Sequence, residues 1–583
     1  MTEPTKLTNA QATAELLAPG SRFEVGTALV RGVETRVWTH APSSLRDVLE
    51  LSRGYGDRTF IVYEDERYSF AEHFALVATM AHRLLSRSVQ PGDRVAIAMR
   101  NLPEWIVAFW ATMAIGAVAV PLNAWWTTDE LIYGLDDSGT SVAIIDAERL
   151  ERLSGHFDAI ASLHHVIVAS EDRTEVTGLA AAATRVTMEG YAEVMADGAA
   201  ASELPDATIA PDDDATIFYT SGTTGRPKGA VGTHRNSASN LMNLFFVSTR
   251  TSMMIGDTGD AGASTPNRYL LSVPLFHATG CQAILVVNTA AGGTLVMMHH
   301  FDPERALELI EREGVTTFGG VPTMVMRILD SPDFTRRDTS SVRNVSYGGA
   351  PAPPELVRRI TAAFPVGQPG NGYGMTETSA ASAMNSGPDY VARPESVGQA
   401  VPTIDVAIVP EDFEGTSPDP DRPIGPEVTG ELWIKGPNVV RGYWNRPVET
   451  AAVFTDGWVH TGDVARIDED GFIYIVDRAK DVIIRGGENI YSVEVEAALF
   501  EHPAVADCAV IGIPHPVLSE EVGAVIVPRP GTSVTADELA AHVAERLAAF
   551  NVPTHVFFTD EPLPRNPAGK VLKRELRAQF LDG

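Results

Sequence analysis

The sequence predicts an α/β protein with a large N-terminal domain of layered α/β units and a β-rich subdomain, followed by a small α+β C-terminal domain. Three observations predict this fold class. The chain has 583 residues, which is too long for one hydrophobic core. Short β-rich runs alternate with helical patterns over residues 59–170, as in layered domains with parallel strands. The last hundred or so residues form a self-contained set of elements, long enough for an independent domain.

The first α/β unit follows from hydrophobic periodicity. Strands are predicted at residues 60–63, 94–98, 118–120 and 142–145, and helices at residues 70–86 and 104–115. Residues 105–128 include no charged residue and are long enough to span a bilayer. Because Gly116 and Pro121 interrupt this stretch and no Lys/Arg cluster flanks it, we interpret it as a buried helix followed by a buried strand.

The next part of the chain predicts a second α/β unit and then short strands. Residues 180–203, rich in alanine and polar residues, predict a surface helix or a loose excursion. The predicted elements that follow are helices at 236–246 and 303–313, strands at 316–318 and 342–347, a polar surface loop at 249–267 and a β-rich region at 406–475.

The charged segment 477–481 lies between two apolar strands, 472–476 and 482–484, and is a candidate hinge. Beyond it we predict helices at 492–501 and 536–550, strands at 505–513 and 522–527, and a basic tail. We therefore divide the chain into a large domain, residues 1–476, the hinge, residues 477–481, and a small domain, residues 482–583.

Charge and cysteine content narrow the function classes. The formal net charge is −31 at pH 7, which argues against nucleic acid as a partner because phosphate backbones require a basic surface. The two cysteines, Cys281 and Cys508, lie outside any C-x-x-C pattern, so neither a disulfide framework nor a structural zinc site is indicated. A reducing, cytoplasmic setting fits this usage. No heptad or repeat indicates an oligomeric state, and a homodimer stays open.

One segment predicts phosphate binding. It reads Tyr219-Thr220-Ser221-Gly222-Thr223-Thr224-Gly225-Arg226-Pro227-Lys228-Gly229 and follows an apolar run, residues 215–218. Glycines allow backbone N–H groups to approach an anion, while hydroxyls and an ammonium supply further donors. The fingerprint G-x-x-x-x-G-K-[ST] does not fit, because Gly229 and not a hydroxyl follows Lys228. The alternative is an ordinary surface turn, since such clusters often mark turns.

Five later motifs accompany this loop. They read Asn371-Gly372-Tyr373-Gly374-Met375-Thr376-Glu377, Thr461-Gly462-Asp463, Asp477-Arg478-Ala479-Lys480-Asp481, Gly486-Gly487-Glu488-Asn489 and Pro564-Arg565-Asn566-Pro567-Ala568-Gly569-Lys570. Together with the loop, and in this order, they resemble the adenylate-forming superfamily, in particular its acyl-CoA synthetases. The resemblance implies ATP, Mg²⁺ and coenzyme A as cofactors. It also implies a two-step reaction, in which a carboxylate attacks the α-phosphorus of ATP and a thiol then displaces AMP.

The resemblance implies roles for residues in the first step. Lys570, on the small domain, would bridge the substrate carboxylate and the α-phosphate. Outside this context it would be an ordinary surface lysine. The loop with Lys228 would hold the β- and γ-phosphates, Thr376 would contact the α-phosphate, and Glu377 would bind Mg²⁺ with help from Thr220.

The nucleoside and the second step involve other motif residues. By resemblance, Asp463 would bind the ribose hydroxyls and Arg478 would reach the ribose or the phosphates. Adenine would lie between the Tyr373 ring and a segment of small residues. That segment is Gly348-Gly349-Ala350-Pro351, and the rest of the implied nucleotide set is Asn371, Gly372, Gly374, Met375 and Ile475. Rotation of a mobile small domain about Lys480 would withdraw Lys570 and bring Gly486, Gly487 and Glu488 to a CoA channel.

The acyl pocket is predicted by position. Its candidate residues are His277, Gly319, Gly320, Val321, Tyr347, Gly348 and Met375. The glycines Gly319 and Gly320 leave room, which favours a medium or long acyl chain, or a bulky ring acid, over acetate. His277 and Cys281 are spaced i, i+4, but no oxyanion-hole motif accompanies them, so we do not interpret them as a nucleophilic pair.

The acid and the acceptor stay open at this stage. The segments 275–277 and 319–323 resemble the fatty-acid branch, so we expect a medium- or long-chain fatty acid, with an aryl acid such as a cinnamate or benzoate as the alternative. We expect CoA as the acceptor, and an acyl-AMP ligase that loads a carrier protein is the rival. A non-catalytic binding relative is disfavoured because Lys228, Glu377, Asp463, Arg478 and Lys570 are all present.

Overall fold

The computed structural model describes residues 6–169, 185–220, 226–256, 266–350, 352–410, 413–419, 428–486, 488–566 and 569–581. The strands up to the phosphate-loop segment are β1 Val25–Val30, β2 Val33–Trp38, β3 Thr59–Tyr63, β4 Glu66–Ser69, β5 Arg94–Ala98, β6 Val118–Pro121, β7 Val142–Asp146, β8 His165–Ala169, β9 Thr187–Gly190, β10 Asp214–Thr220 and β11 Lys228–Thr233. The next strands are β12 Arg268–Leu271, β13 Thr294–Met297, β14 Thr317–Gly320, β15 Asn344–Gly348, β16 Gln368–Tyr373, β17 Ala383–Ser386, β18 Gly398–Ala400, β19 Asp405–Val409, β20 Gly430–Lys435, β21 Phe454–Thr455, β22 Trp458–Ile467 and β23 Phe472–Arg478. The small domain contains β24 Ile483–Arg485, β25 Glu488–Ile490, β26 Val505–His515, β27 Ser519–Pro528 and β28 His555–Phe558.

The α-helices complete the inventory. They are α1 Asn9–Leu16, α2 Leu45–Ser52, α3 Phe70–Ser86, α4 Pro103–Ala114, α5 Thr128–Ser138, α6 Ala147–Leu153, α7 Tyr191–Ala196, α8 His234–Ile255, α9 Val286–Ala291, α10 Pro303–Glu313, α11 Pro322–Asp330, α12 Pro354–Ala363, α13 Pro388–Ala392, α14 Pro447–Val453, α15 Ser492–Phe500, α16 Ala536–Ala544 and α17 Lys573–Leu581. A π-helical segment, Thr279–Leu285, precedes α9.

The first α/β unit is built on a sheet of order β11-β10-β6-β5-β7-β8-β9. All neighbouring pairs in it are parallel except the hairpin β10–β11. The strands and helices predicted for this unit are confirmed. Helix α3 has the predicted bounds because a capping box starts it: the Ser69 hydroxyl accepts from the Glu72 N–H, and the Glu72 carboxylate accepts from the Ser69 N–H.

The apolar stretch at 105–128 is a buried helix followed by a buried strand, as predicted. Nearly every residue of α4 is buried, including Trp105 and Trp110, and β6 is buried throughout. Helix α4 packs with α3 against the first sheet in the largest hydrophobic cluster. No helix in the described ranges has the length and hydropathy needed to cross a membrane.

The second α/β unit and the β-rich region share one sheet. Its order is β19-β20-β22-β23-β18-β17-β16-β15-β14-β12-β13-β3-β4, with β21 beside β22. Pairs from β3 through β16 are parallel, whereas β16 to β19 pair antiparallel. The strands predicted as a closing subdomain therefore continue the sheet of the second unit, because β17 forms a hairpin-like pair with β16.

Three helical regions differ from the prediction. Helix α8 runs to Ile255, where Gly256 ends it in the left-handed region at φ 76°, so residues 249–255 are helical and not part of a loop. Helix α16 ends at Ala544, earlier than expected. In the described part of residues 180–203, from residue 185 onward, the chain forms β9 and α7.

The small domain is an antiparallel sheet of order β25-β24-β27-β26, with β28 parallel to β27. Helices α15 and α16 pack on this sheet around Val510, Leu499 and Leu539. Helix α17 packs on β26 through Leu576. This compact α+β unit follows β23 after a short turn. Asp477 and Arg478, predicted as the first residues of the hinge, are the last two residues of β23, and the domain boundaries stay a prediction.

Candidate active site

A large cavity of about 2220 Å³ lies between the two domains. The carboxyl ends of the parallel strands β14, β15 and β16 open into it, which is where ligands bind in open α/β sheets. Among the predicted site residues, those that line it are Thr220, Lys228, His277, Gly320, Val321, Tyr347, Gly348, Gly349, Gly372, Gly374, Met375, Thr376, Glu377, Arg478, Lys480 and Lys570. Residues from the phosphate loop, from the segments 347–349 and 372–377, from the hinge and from the C-terminal motif thus meet at one site.

Some predicted residues fall elsewhere. Ser221, Gly222, Thr223, Thr224, Gly225, Pro351 and Gly487 lie outside the described residues. Asn371 is buried on β16 opposite Tyr347 of β15, and Ile475 packs into the core of the β-rich strands. Ala350, Tyr373 and Asp463 are not among the residues that line the cavity.

The Lys570 turn reaches the cavity from the small domain. Asn566 holds it, because its side-chain oxygen accepts from the Lys570 N–H at 2.9 Å and its own N–H donates to the Lys570 carbonyl at 2.8 Å. Gly569 has φ +77°, and a Cβ there would lie 2.5 Å from Val321 of the large domain. Burial, followed by the charge of Arg478, lowers the pKa of Lys570 to about 8. The ammonium therefore lies among the nucleotide-site charges.

Asp463 is held by two partners. Arg478 pairs through Nε with Asp463 Oδ1 at 2.6 Å, and the Tyr373 hydroxyl donates to Asp463 Oδ2 at 2.6 Å. Strands β22 and β23 place the Asp and the Arg opposite each other in register. Burial raises the pKa of Tyr373 well above its ordinary value, so it stays a donor. Each Asp463 carboxylate oxygen keeps a second lone pair, so the carboxylate can still accept one hydrogen bond from each of two ribose hydroxyls.

Glu377 and Tyr443 are buried next to Lys228, which is partly exposed. The Tyr443 hydroxyl donates to Glu377 Oε1 at 2.7 Å, and Lys228 Nζ lies 5.2 Å from the centre of the Tyr443 ring. Burial raises the pKa of Glu377, and the hydrogen bond from Tyr443 opposes this shift. The segment that carries Tyr443 is tied to β11, since the Trp444 N–H donates to the Gly229 carbonyl at 2.8 Å.

This group fits Mg²⁺ bound mainly through substrate phosphates. Mg²⁺ is commonly bound by one or two protein oxygens, with phosphates and waters completing its shell. Glu377 and Thr220 are such oxygens on the cavity wall. In the described ranges no cluster of three or more His, Cys, Asp or Glu side chains forms a complete metal cage. Tyr443 was missed at the sequence level, where the only signal was an aromatic pair after Arg441-Gly442.

The acyl side of the cavity lies between α8, the π-helical segment and the second sheet. His277, Gly320, Val321, Tyr347 and Met375 line the cavity, and their assignment to an acyl pocket stays a prediction. Burial lowers the pKa of His277 to about 4, so the imidazole is neutral near pH 7. Further lining residues that the sequence did not indicate are Phe245, Ser252, Tyr269, Ala283, Ile284 and Val287. π-Helical turns such as Thr279–Leu285 often occur at functional sites.

Two expectations for this side change. Gly319 does not line the cavity; a Cβ there would lie 1.6 Å from the Ser346 carbonyl oxygen, so close strand packing requires this glycine. Cys281 is fully buried in the core, and burial raises the pKa of its thiol. It therefore packs as a small hydrophobe, in agreement with our rejection of a Cys/His nucleophile.

Of the predicted CoA residues, the two that the structure describes, Gly486 and Glu488, do not line the cavity in this arrangement. Gly486 and Glu488 flank the turn of the β24–β25 hairpin, where Glu488 is exposed. The Gly486 N–H donates to the Leu518 carbonyl at 2.8 Å. Lys480, the predicted pivot, lines the cavity, and burial lowers its pKa.

Comparisons with known proteins show the family and the fold of this chain. The family model of AMP-binding enzymes matches residues 50–444, and that of the AMP-binding enzyme C-terminal domain matches residues 494–570. A feruloyl-CoA synthase of an Amycolatopsis species is 38% identical over 518 residues, covering 88% of this chain and 94% of that protein. A long-chain-fatty-acid–CoA ligase of Mycobacterium tuberculosis is 33% identical over 519 residues, with 88% and 94% covered. The o-succinylbenzoate CoA synthetase of Bacillus subtilis, solved with its acyl-adenylate, superposes with a TM-score of 0.74 at 31% identity, covering 91% of this chain and 97% of that one.

Proposed function

The chain belongs to the AMP-binding enzyme family, and on that premise we propose that it ligates CoA to a ring-bearing carboxylic acid. It is an AMP-forming acid–thiol ligase that uses ATP and coenzyme A, with Mg²⁺. The single observation that carries the ligase chemistry is the convergence of Lys570, from the small domain, with Lys228, Glu377 and Arg478 around one cavity.

In the first step, a carboxylate oxygen of the acid bonds to the α-phosphorus of ATP, and the bond from that phosphorus to pyrophosphate breaks. Both reactants are anions, so their approach requires positive charge between them. Lys570 supplies this charge because its pKa of about 8 keeps it largely protonated near neutral pH. Mg²⁺, held by Glu377 and Thr220, would neutralise the triphosphate, and Lys228 would hold the departing pyrophosphate.

In the second step, the thiolate sulfur of CoA bonds to the acyl carbon, and the bond from that carbon to AMP breaks. Asp463 and Arg478 hold the nucleotide through both steps, since they belong to the large-domain sheet. Gly486 and Glu488 are exposed and away from the cavity in this arrangement. Rotation of the small domain at Lys480 would bring these two residues to the place where the CoA thiolate attacks the acyl-adenylate. The same rotation would withdraw Lys570.

The lining of the acyl side supports a ring-bearing acid. Phe276, Ile284 and Val287 contribute apolar side chains to the lining, and Tyr269 and Ser252 contribute hydroxyl-bearing side chains. Such a lining suits a ring that carries oxygen substituents better than a saturated chain, because a buried polar group without a partner is costly. The 38% identity to the feruloyl-CoA synthase points in the same direction.

A medium- or long-chain fatty acid is the second candidate, and one observation favours it. The cavity reaches Thr317, Asn344 and Gln368 at the amino ends of three parallel strands. It is therefore about as long as a strand, roughly 15 Å at about 3.3 Å per residue. An extended chain would fill this length.

A panel of acids tests the proposal. Ferulate, cinnamate, benzoate, octanoate and palmitate are compared by AMP release in the presence of ATP, Mg²⁺ and CoA. We expect ferulate or cinnamate to give the highest kcat/KM. A preference for palmitate would mean that the substrate is a fatty acid and not a ring-bearing acid. Pyrophosphate exchange that is independent of any added acid would reject the proposed function, and preference for a phosphopantetheinylated carrier protein over CoA would change the acceptor.

A further inference from the structure

A buried polar cluster connects the end of β23 with the beginning of α15. Asp477, the penultimate residue of β23, is only 2% exposed. Its Oδ2 accepts from the Ser492 N–H at 2.5 Å, and its Oδ1 accepts from the Ser492 hydroxyl at 3.1 Å. A large-domain carboxylate is thus bonded to the first residue of a small-domain helix.

This contact replaces a missing helix cap. The residue before α15, Tyr491, makes no side-chain capping bond. The first N–H groups of a helix need acceptors, and a negative charge there is favourable. Asp477 supplies both from the other side of the hinge.

The same cluster continues to the Lys570 turn. Lys573 Nζ donates to the Ser492 hydroxyl at 2.5 Å and pairs with Glu496 Oε1 at 2.8 Å. Lys573 begins α17 and lies three residues beyond Lys570. Because Asn566 stiffens the turn from within, fixing Lys573 also limits where Lys570 can point.

We propose that Asp477 is a positioning residue for Lys570: through Ser492 and Lys573 it holds the small domain in the arrangement that forms the adenylate. The proposal rests on the proposed function. Asp477 precedes the pivot Lys480, whereas Ser492 and Lys573 follow it, so rotation there must separate them. Among the described residues, an ion pair within 4 Å also joins the two domains between Arg529 and Asp330, at 3.6 Å. This pair is partly exposed, and exposed pairs of this kind contribute little stability.

Two conservative variants test this role. Asp477→Asn keeps the shape but removes the charge, and Ser492→Ala removes the hydroxyl that links Asp477 to Lys573. The first half-reaction is measured as ferulate-dependent pyrophosphate exchange. The second is measured as feruloyl-CoA formation from synthetic feruloyl-adenylate and CoA. We expect each variant to lower the first rate about tenfold while the second stays within about twofold of wild type.

The matched control is Thr535→Ala. Thr535 caps α16 inside the small domain, through a capping box with Glu538. Its loss removes a helix cap without touching the hinge. Both half-reactions should therefore keep their ratio in this variant, whatever its stability.

A distance measurement tests the cluster independently of any substrate. Spin labels on Val448→Cys and Val517→Cys, at positions 78% and 83% exposed in the large and small domains, report their separation. The native cysteines are both buried. We expect α,β-methylene-ATP to give one separation in wild type, and Asp477→Asn to populate a second.

Equal losses in both half-reactions, or identical label distances in wild type and Asp477→Asn, would overturn the proposal. Failure of the wild type to exchange pyrophosphate with any acid would instead reject the proposed function. In that case the label distances alone decide whether Asp477 holds the two domains together.

Discussion

The phosphate side and the acyl side of the cavity are built in different ways. On the phosphate side, charged groups are held by hydrogen bonds at fixed distances, as for Asp463 between Arg478 and Tyr373. On the acyl side, the shape comes from packing: Gly320, Val321 and Ile284 offer surfaces and few directed bonds. The charged groups that must be positioned precisely therefore come from short sequence motifs. The size of the acid that fits is instead determined by side chains from several helices and strands.

If this contrast holds, substitutions on the phosphate side should impair the reaction with every acid, and those on the acyl side should change which acid is used. The largest effect is expected for Lys570→Ala. Loss of the cation between two anions should lower pyrophosphate exchange by about 10²- to 10³-fold. Thioester formation from synthetic acyl-adenylate should be much less affected. Normal pyrophosphate exchange by this variant would contradict the role of Lys570.

Tyr443→Phe should have the next largest effect. It removes the donor to Glu377 while keeping the ring beside Lys228, so the carboxylate loses its orientation. We expect the Mg²⁺ concentration for half-maximal exchange to rise about tenfold, as for other residues that orient a metal ligand. Tyr474→Phe is the control, since its hydroxyl donates to Asp468 outside the cavity at 3.0 Å. An unchanged Mg²⁺ dependence in Tyr443→Phe would separate Tyr443 from the metal site.

Ala283→Phe tests the acyl side. A phenyl group at this lining position of the π-helical segment should shorten the pocket. We expect kcat/KM to fall about tenfold for the longest accepted acid, while KM for ATP stays unchanged. Ala283→Ser is the control, because serine is nearly the same size as the native alanine and should leave the length of the pocket unchanged. A uniform loss with all acids, including benzoate, would show that the two sides are not independent.

The smallest effect is expected from pH. The pKa of Lys570 in the free enzyme is lowered to about 8, so kcat/KM for pyrophosphate exchange should decline several-fold above about pH 8, as the ammonium is lost. The unfolded lysine has its ordinary pKa of 10.5 and binds more protons than the folded one between these values. Stability should therefore rise with pH over this window.

The difference in unfolding free energy between wild type and Lys570→Met isolates this term. It should favour the wild type increasingly as pH rises from about 8 to about 10.5. A difference that does not vary with pH would mean that Lys570 has an ordinary pKa in the folded chain.

Local sequence patterns predicted many helices and strands, but they did not predict how strands that are distant in the sequence pair with each other. Helices α3 and α10 matched their predicted bounds because capping residues mark their starts. The end of α8 was missed because polar residues that face a cavity look like a loop in the sequence. That β17 joins the β-rich strands to the parallel sheet depends on a pairing between distant segments, which no local pattern records.

The site shows the same division. Lys228, Glu377, Arg478 and Lys570 were candidates because each lies in a motif that resembles the adenylate-forming superfamily, and all four line the cavity. Tyr443 was not, because a single aromatic residue is normally part of a core. Gly319 was assigned to the pocket because a glycine leaves room for a substrate. In the structure a glycine is required there because a Cβ would clash with the carbonyl oxygen of Ser346 on the adjacent strand. A sequence shows that a glycine is present and not which neighbour forbids a Cβ.

The contact between Gly569 and Val321 has a consequence for hydrolytic leakage. Because the turn that carries Lys570 packs on Val321, which lines the cavity, it should hinder the approach of water to the mixed anhydride while it stays in place. Withdrawal of the turn and presentation of the CoA thiol would then belong to one movement, which should limit hydrolysis of the activated acyl group and the loss of ATP that hydrolysis causes.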